Sequence, residues 1–235
     1  MMAGGGNLIR DHSGYGHNGV NNGATWIAGR FGHAMSFDGN NDVIDVVSTP
    51  TLEFQASTTG TLSAWVKSSD FDHNGMIIRK RNGGVGYQIY FYGPDNVIKF
   101  HFGSQSTLTA PLSSVVNGEW HHLVGVADGA FHRIYVDGIE VASTASTFAA
   151  GDSSAYDVHL GAISVSSYQF NGQIDNIRIY NRGFTPGEVR QLYSNPFADY
   201  ASPSAARKFF NPSPAGGAPP VPPKLIISKL ERTRK

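Results

Sequence analysis

The chain has 235 residues, no cysteine, 28 glycines, 11% aromatic residues and only 15% charged residues. Disulfides, thiolate metal sites and a cysteine nucleophile are therefore excluded, and the composition suits an all-β domain with many turns. The formal charge of zero hides an asymmetry: residues 1–200 hold 11 Lys and Arg against 17 Asp and Glu, about −6, whereas residues 201–235 hold seven against one, about +6.

Residues 1–6, Met-Met-Ala-Gly-Gly-Gly, are expected to be a flexible N-terminus. They lack the basic and apolar regions of a signal peptide, so production in the cytoplasm with release by lysis, or a virion surface, is expected ahead of classical secretion. No apolar run approaches the roughly 20 residues that a membrane helix needs. Asn7 to Asn22 is dense in Gly, Asn, Asp and Ser and reads as a tight loop. Short strands are predicted next at Ala24–Gly29, Ala34–Phe37 and Val43–Val46, then at Thr61–Lys67 and Met76–Ile78. Tyr87–Tyr92 and Val97–Phe102 alternate across a Pro94-Asp95-Asn96 turn and form a hairpin.

Further strands are predicted at Trp120–Val126 and Phe131–Val136. Asp137-Gly138 turns the second of these into Ile139–Ala142, the strongest hairpin signal in the chain. A short strand at His159–Gly161 precedes Asn171–Tyr180, which closes the domain with Asp175 set among Ile174, Ile177 and Ile179. Pro186–Tyr193 is the one predicted helix, with Thr185 as N-cap and Glu188 completing a capping box. About a dozen short strands at this spacing predict a two-sheet antiparallel sandwich over residues 7–200. Residues 201–223 hold seven of the 12 prolines and read as an extended linker. Residues 224–235 form a basic segment whose start, Lys224, Leu225, Ile226, Ile227, Ser228, Lys229 and Leu230, is strand-prone.

Six pieces in order resemble one family: Asp11–Gly19 (DHSGYGHNG), Phe31–Asp42 (FGHAMSFDGNND), Leu62–Lys67 (LSAWVK), Gly118–Leu123 (GEWHHL), Ile134–Gly138 (IYVDG) and Gly172–Arg182 (GQIDNIRIYNR). They are similar to a LamG-like jelly roll of the concanavalin A-like lectin/glucanase superfamily, and this implies a concanavalin A-like jelly-roll sandwich. The fold hosts many functions, so the resemblance alone does not select one. Two departures stand out. The family's opening strand, expected before the Asp11 loop, is absent from the pattern, and its I-D-E-V reads Ile174-Asp175-Asn176-Ile177. A missing edge strand would leave backbone groups unpaired, so Lys224–Leu230 is expected to add a strand, in its own chain or in a neighbour.

The resemblance also implies a Ca²⁺ site, carried over to Asp11, Asn18 and Asp175 with a carbonyl from Gly16; the competing reading has Asp11 capping its own turn. His121 and His122 are adjacent on a strand and point to opposite faces, so they read as ordinary strand residues and not as chelators. Asp38, Asp42 and Asp45 read as turn and strand-end residues. No run of paired carboxylates of the glucanase kind occurs, nor a G-x-S-x-G or phosphate-binding loop, so catalysis is not expected. A glycan patch is expected from Gln88, Tyr90 and Tyr92 on one strand face, joined by Lys99, His101, Arg133 and Tyr135 on neighbouring strands; Trp65 is expected in the core. Two functions compete. One is a non-catalytic carbohydrate-binding or adhesion module anchored in a larger assembly through its tail. The other is a purely structural or decoration protein of a phage virion. Protein partners are expected at the tail and nucleic acid is not, because the positive charge lies on a linker and not on a folded surface.

Overall fold

The computed structural model describes residues 7–54, 59–82, 84–104, 107–146, 156–164 and 167–197, with the backbone of Leu225–Ile227. Two antiparallel sheets face each other. The first runs in the order β1 (Leu8–Ile9), β2 (Gly19–Asn22), β5 (Val43–Val46), β14 (Val158–Leu160), β7 (Gly75–Asn82), β8 (Val85–Tyr92), β9 (Val97–Gly103), β10 (Leu108–Pro111). The second runs β13 (Ile139–Ala145), β12 (Phe131–Val136), β11 (His121–Asp128), β6 (Thr59–Lys67), β15 (Asn171–Tyr180), β4 (His33–Asp38), β3 (Thr25–Ala28). Alternate residues of both sheets meet in one core: Ile89, Phe91, Ile98, Phe100 and Phe102 from the first, Leu62, Ala64, Leu123, Ile134 and Ile179 from the second. Close approach of the layers shows at Gly125, where a Cβ would run into the Phe100 ring.

The turns follow their residue chemistry. Asp137 and Gly138 have φ of 52° and 79°, the paired left-handed values of a two-residue hairpin turn. Asn96 takes φ 53° after the short 3₁₀ turn Gly93–Asp95 and sends the chain back into β9. The helix α1 (Pro186–Ser194) begins as read: Thr185 Oγ1 accepts the Glu188 N–H at 3.3 Å, and the Glu188 carboxylate accepts the Thr185 N–H at 2.8 Å. Its Val189 and Leu192 pack with Val124, Val126, Tyr135, Tyr180 and Phe184 on the outer face of the second sheet. That face is thereby covered.

The structure corrects two expectations at the N-terminal end. Asn7–Asn22 is not only a loop, because it contributes β1 and β2; β2 pairs with β5, an interaction that local composition cannot reveal. A strand does precede the Asp11 loop, since β1 pairs Leu8 with Val20 and buries Ile9 in the core. β15 carries a bulge: Asp175 pairs with Trp65 and Arg178 with Ser63, so one extra residue is absorbed between them. Asn176 sits there at φ 51°, a conformation that asparagine tolerates well. The bulge turns Asp175 and Arg178 to the outer face while Ile174, Ile177 and Ile179 stay in the core.

β15 pairs with β4 only from Asn171 to Ile174. Beyond that point its edge is taken by β16 (Leu225–Ile227) of the same chain, in the register Ile177 to Ile227, Arg178 to Ile226 and Ile179 to Leu225. Lys224, Ser228, Lys229 and Leu230, the N-terminal residues 1–6 and the linker 201–223 lie outside the described residues.

Candidate functional site

The outer face of the first sheet is where the chemistry collects. On β8 the inward residues Tyr87, Ile89 and Phe91 join the core, which turns Gln88, Tyr90 and Tyr92 outward. β9 pairs with β8 so that His101 stands opposite Gln88 and Lys99 opposite Tyr90. β7 adds Arg79 opposite Gln88, and Arg81 two residues further along. Five of the seven expected patch residues are thus brought together, Gln88, Tyr90, Tyr92, Lys99 and His101, but the expected exposure is not found at Gln88, Tyr90 and His101, which are buried, and only Tyr92 and Lys99 keep partial access to solvent.

Their contacts are specific. Arg79 Nη1 donates to Gln88 Oε1 at 2.6 Å, and its Nη2 donates to the Arg81 carbonyl at 3.2 Å. The Tyr92 and Tyr168 rings stack with centroids 6.3 Å apart, and Tyr90 meets both edge-on at 6.4 and 5.8 Å. Lys99 Nζ lies 3.6 Å from the Tyr92 ring centroid and 2.9 Å from Asp95 Oδ2. His101 Nε2 donates to the Gly103 carbonyl at 2.8 Å. Burial, with help from Arg81, pulls the His101 imidazole down to about 4, so it is neutral at physiological pH. Along the same face His159 Nδ1 donates to Asp45 Oδ1 at 2.6 Å, and Asn22 Nδ2 donates to Asp45 Oδ2 at 2.9 Å. Asp45 is therefore a mid-strand anchor of this polar row and not a strand-end residue. Asp38 and Asp42 do belong to the turn: Asp38 Oδ1 accepts the Asn40 N–H and Asp42 Oδ2 accepts the Asp38 N–H, both at 2.8 Å.

Arg133 and Tyr135 do not join this patch. They lie on β12 in the other sheet, which the linear order of strands concealed. Arg133 is held by Asp128 and Glu140. Tyr135 is buried beneath α1, donates to Glu140 Oε2 at 3.2 Å, and is pushed up to about 12, chiefly by burial. Trp65 is buried on that same outer face, its ring against His122 (5.1 Å) and Tyr193 of α1 (5.5 Å) with Phe31 edge-on at 5.3 Å, so its burial comes from α1 and the Arg30-Phe31 segment and not from the space between the sheets. His121 donates from Nδ1 to Asp137 Oδ2 at 2.7 Å, while His122 Nε2 shares a hydrogen bond with Ser63 Oγ at 2.9 Å. Burial, helped by Arg178, takes the His122 imidazole down to about 3.

The Ca²⁺ ligands implied by the resemblance do not fit a common site. Asp11 Oδ1 accepts the Ser13 N–H at 2.8 Å, and its Oδ2 accepts the Ser13 hydroxyl and the His17 N–H. Asn18 Oδ1 accepts the Asp11 N–H at 3.0 Å, and the Gly16 carbonyl accepts the Asn18 N–H at 2.9 Å. These oxygens hold the loop itself together. Asp175 lies in the middle of the other sheet, where its Oδ2 accepts the Phe31 N–H at 2.9 Å. Among the described residues, no group of three or more His, Asp or Glu side chains converges as a metal site.

Arg79, Arg81, Tyr168 and His159 are members of the face that sequence reasoning missed. Extending the β7 alternation past Ile78 would have placed Arg79 and Arg81 together; Tyr168 is in a connection and carries no such signal. Elsewhere a groove of about 670 Å³ is lined by Phe71, Leu112, Val115 and Asn117 among others. Its Asn117 already accepts the Phe71 N–H.

Residues 38–190 match the family model described as the concanavalin A-like lectin/glucanases superfamily, about two thirds of the chain. The chain belongs to this superfamily. No curated protein matches it in sequence. Among solved structures, this superfamily member is similar to the binding domain of Paraclostridial Mosquitocidal Protein 1, at 18% identity and a TM-score of 0.65, covering 81% of this chain and 52% of that one. It is also similar to Domain 4 of AbnA, an extracellular GH43 arabinanase from Geobacillus stearothermophilus, solved in complex with arabinotriose: 20% identity, TM-score 0.55, 73% and 82% covered. The binding domain of botulinum neurotoxin serotype D gives 14% identity, TM-score 0.61, and 78% and 48% covered. The chain spans about half the length of the first and third of these. At such identities the likeness is one of fold.

Proposed function

We propose that this domain is a non-catalytic module that binds carbohydrate on the outer face of the first sheet. The observation that carries the reading is the stacked, half-buried pair Tyr92 and Tyr168, with Lys99 against Tyr92 and Arg79 further along the same face. A sugar presents an apolar ring face and a rim of hydroxyls, and this surface offers aromatic planes beside fixed hydrogen-bonding groups. Glu140 and Glu188 serve an ion pair and a helix cap, so neither stands ready as half of a hydrolytic pair. The structurally similar proteins, two binding domains and one enzyme domain with a bound arabinotriose, support the same reading.

The basic tail supplies the anchor to a protein partner in a larger assembly, and the pairing of β16 with β15 supports its role in holding tail and sandwich together. Affinity electrophoresis of the full chain through gels containing a panel of soluble polysaccharides tests the reading. Retardation by at least one polymer, reduced tenfold or more by Tyr92→Ala or Tyr168→Ala, is the expected result. No retardation by any polymer would instead favour a purely structural or virion decoration role.

A further inference from the structure

The carbohydrate face carries two cations that nothing in the described protein neutralises. Arg79 and Arg81 are both half-buried, and among the described residues neither has a carboxylate within ion-pair distance. Arg79 spends its donors on Gln88 and on the Arg81 carbonyl, and Arg81 Nε is buried with no hydrogen-bond partner. Burial lowers both guanidinium pKa values, and Arg81 lowers that of Arg79 further. The carboxylates nearby are already engaged: Asp45 by His159 and Asn22, Asp95 by Lys99. Contrast Arg133 and Arg182, each of which has an acidic partner in the fold. Leaving two adjacent, partly desolvated cations uncompensated is costly.

Their spacing gives the cost a purpose. Two residues apart on one strand, their Cα atoms lie about 6.7 Å from each other on one face. A guanidinium presents a planar fork matched to carboxylate and sulfate oxygens. Both arginines lie to one side of Tyr90 along the sheet, opposite Gln88 and Gly86, and Tyr90 in turn meets Tyr92 and Tyr168.

We infer that the ligand of this face is an anionic oligosaccharide, one ring of which lies against Tyr92 and Tyr168 and whose acidic group, further along the face, is held by Arg79 and Arg81. This rests on the carbohydrate reading above and narrows it to acidic sugars. The shared chemistry is an oxyanion on a sugar, and the experiment separates its two sources. The full chain is assayed against polygalacturonate and its carboxyl-reduced form, and against dextran sulfate and dextran, by affinity electrophoresis at low and high salt. One acidic polymer is expected to bind at least tenfold more tightly than its neutral counterpart, with affinity falling as salt rises. The variant R79Q/R81Q, checked for an unchanged melting temperature, is expected to erase that preference. R79K/R81K, which keeps the charge and loses the fork, should retain part of it.

Equal binding of acidic and neutral polymers would overturn the inference. So would a preference that survives R79Q/R81Q, since that result would place the charge recognition on the basic tail. In either case the carbohydrate reading itself stands if Tyr92→Ala or Tyr168→Ala still weakens neutral-polymer binding. It falls, and the inference with it, if no polymer binds.

Discussion

Asp175 offers a test of the electrostatics at the closing strand. It is only 2% exposed; Oδ2 accepts the Phe31 N–H at 2.9 Å, and Oδ1 is buried with no hydrogen-bond partner. Burial pushes its carboxyl from 3.8 to about 6, although the backbone N–H groups of Phe31, Asn176 and Arg30 pull the other way. An acid whose pKa is raised by folding holds its proton more firmly in the native state than in the unfolded one. Its cost is absent below about pH 4, grows through the window from about 4 to about 6, and is complete above it, so stability falls as pH rises. A shift of about two units corresponds to about 3 kcal/mol, or roughly 6–12 °C in melting temperature for a domain of this size. Asp175→Asn keeps an oxygen for the Phe31 N–H and cannot ionise. Melting curves followed by circular dichroism from pH 4 to 7.5 should show D175N gaining roughly that much over the parent as pH rises. A melting-temperature difference that stays flat across the range would refute the reasoning, whatever its absolute value.

Three further outcomes follow from the geometry. Thr185→Ala removes the acceptor for the Glu188 N–H and should cost about 1 kcal/mol, read as a fall of a few degrees in the same melting assay. Truncation after Phe197 removes β16 and leaves the outer edge of β15 unpaired beyond Ile174; a loss of about 1–2 kcal/mol is expected, and an unchanged melting curve would count against that pairing. Neither excess Ca²⁺ nor a chelator should move the melting temperature, because the Asp11 loop oxygens serve the loop and Asp175 lies elsewhere; a rise with Ca²⁺ and a fall with chelator would restore the metal site.

Much of the architecture was legible residue by residue. Period-two alternation marked β6, β8, β9, β12 and β15, and the Thr185–Glu188 capping box marked the helix, because these signals are local and each has one backbone solution. The same alternation placed Gln88, Tyr90 and Tyr92 on one face and let His121 and His122 diverge. β1 and β2 were hidden, since two to four residues rich in Gly and Asn become strands only when β5 supplies their hydrogen bonds. The bulge at Asn176 was hidden too, although it decides that both Asp175 and Arg178 face outward.

What the chain determined by itself is the class of fold, its turns, the helix Pro186–Ser194 and the absence of thiol chemistry, all consequences of residue type and short-range spacing. Which strands become neighbours is a long-range outcome, settled by how two apolar faces close over a shared core. That pairing alone put Arg79 beside Gln88 and Tyr168 upon Tyr92, sent Arg133 and Tyr135 to the opposite sheet, and laid α1 over Trp65. A binding face made of side chains from several strands exists only once those strands have been brought side by side, and so it belongs to the tertiary structure.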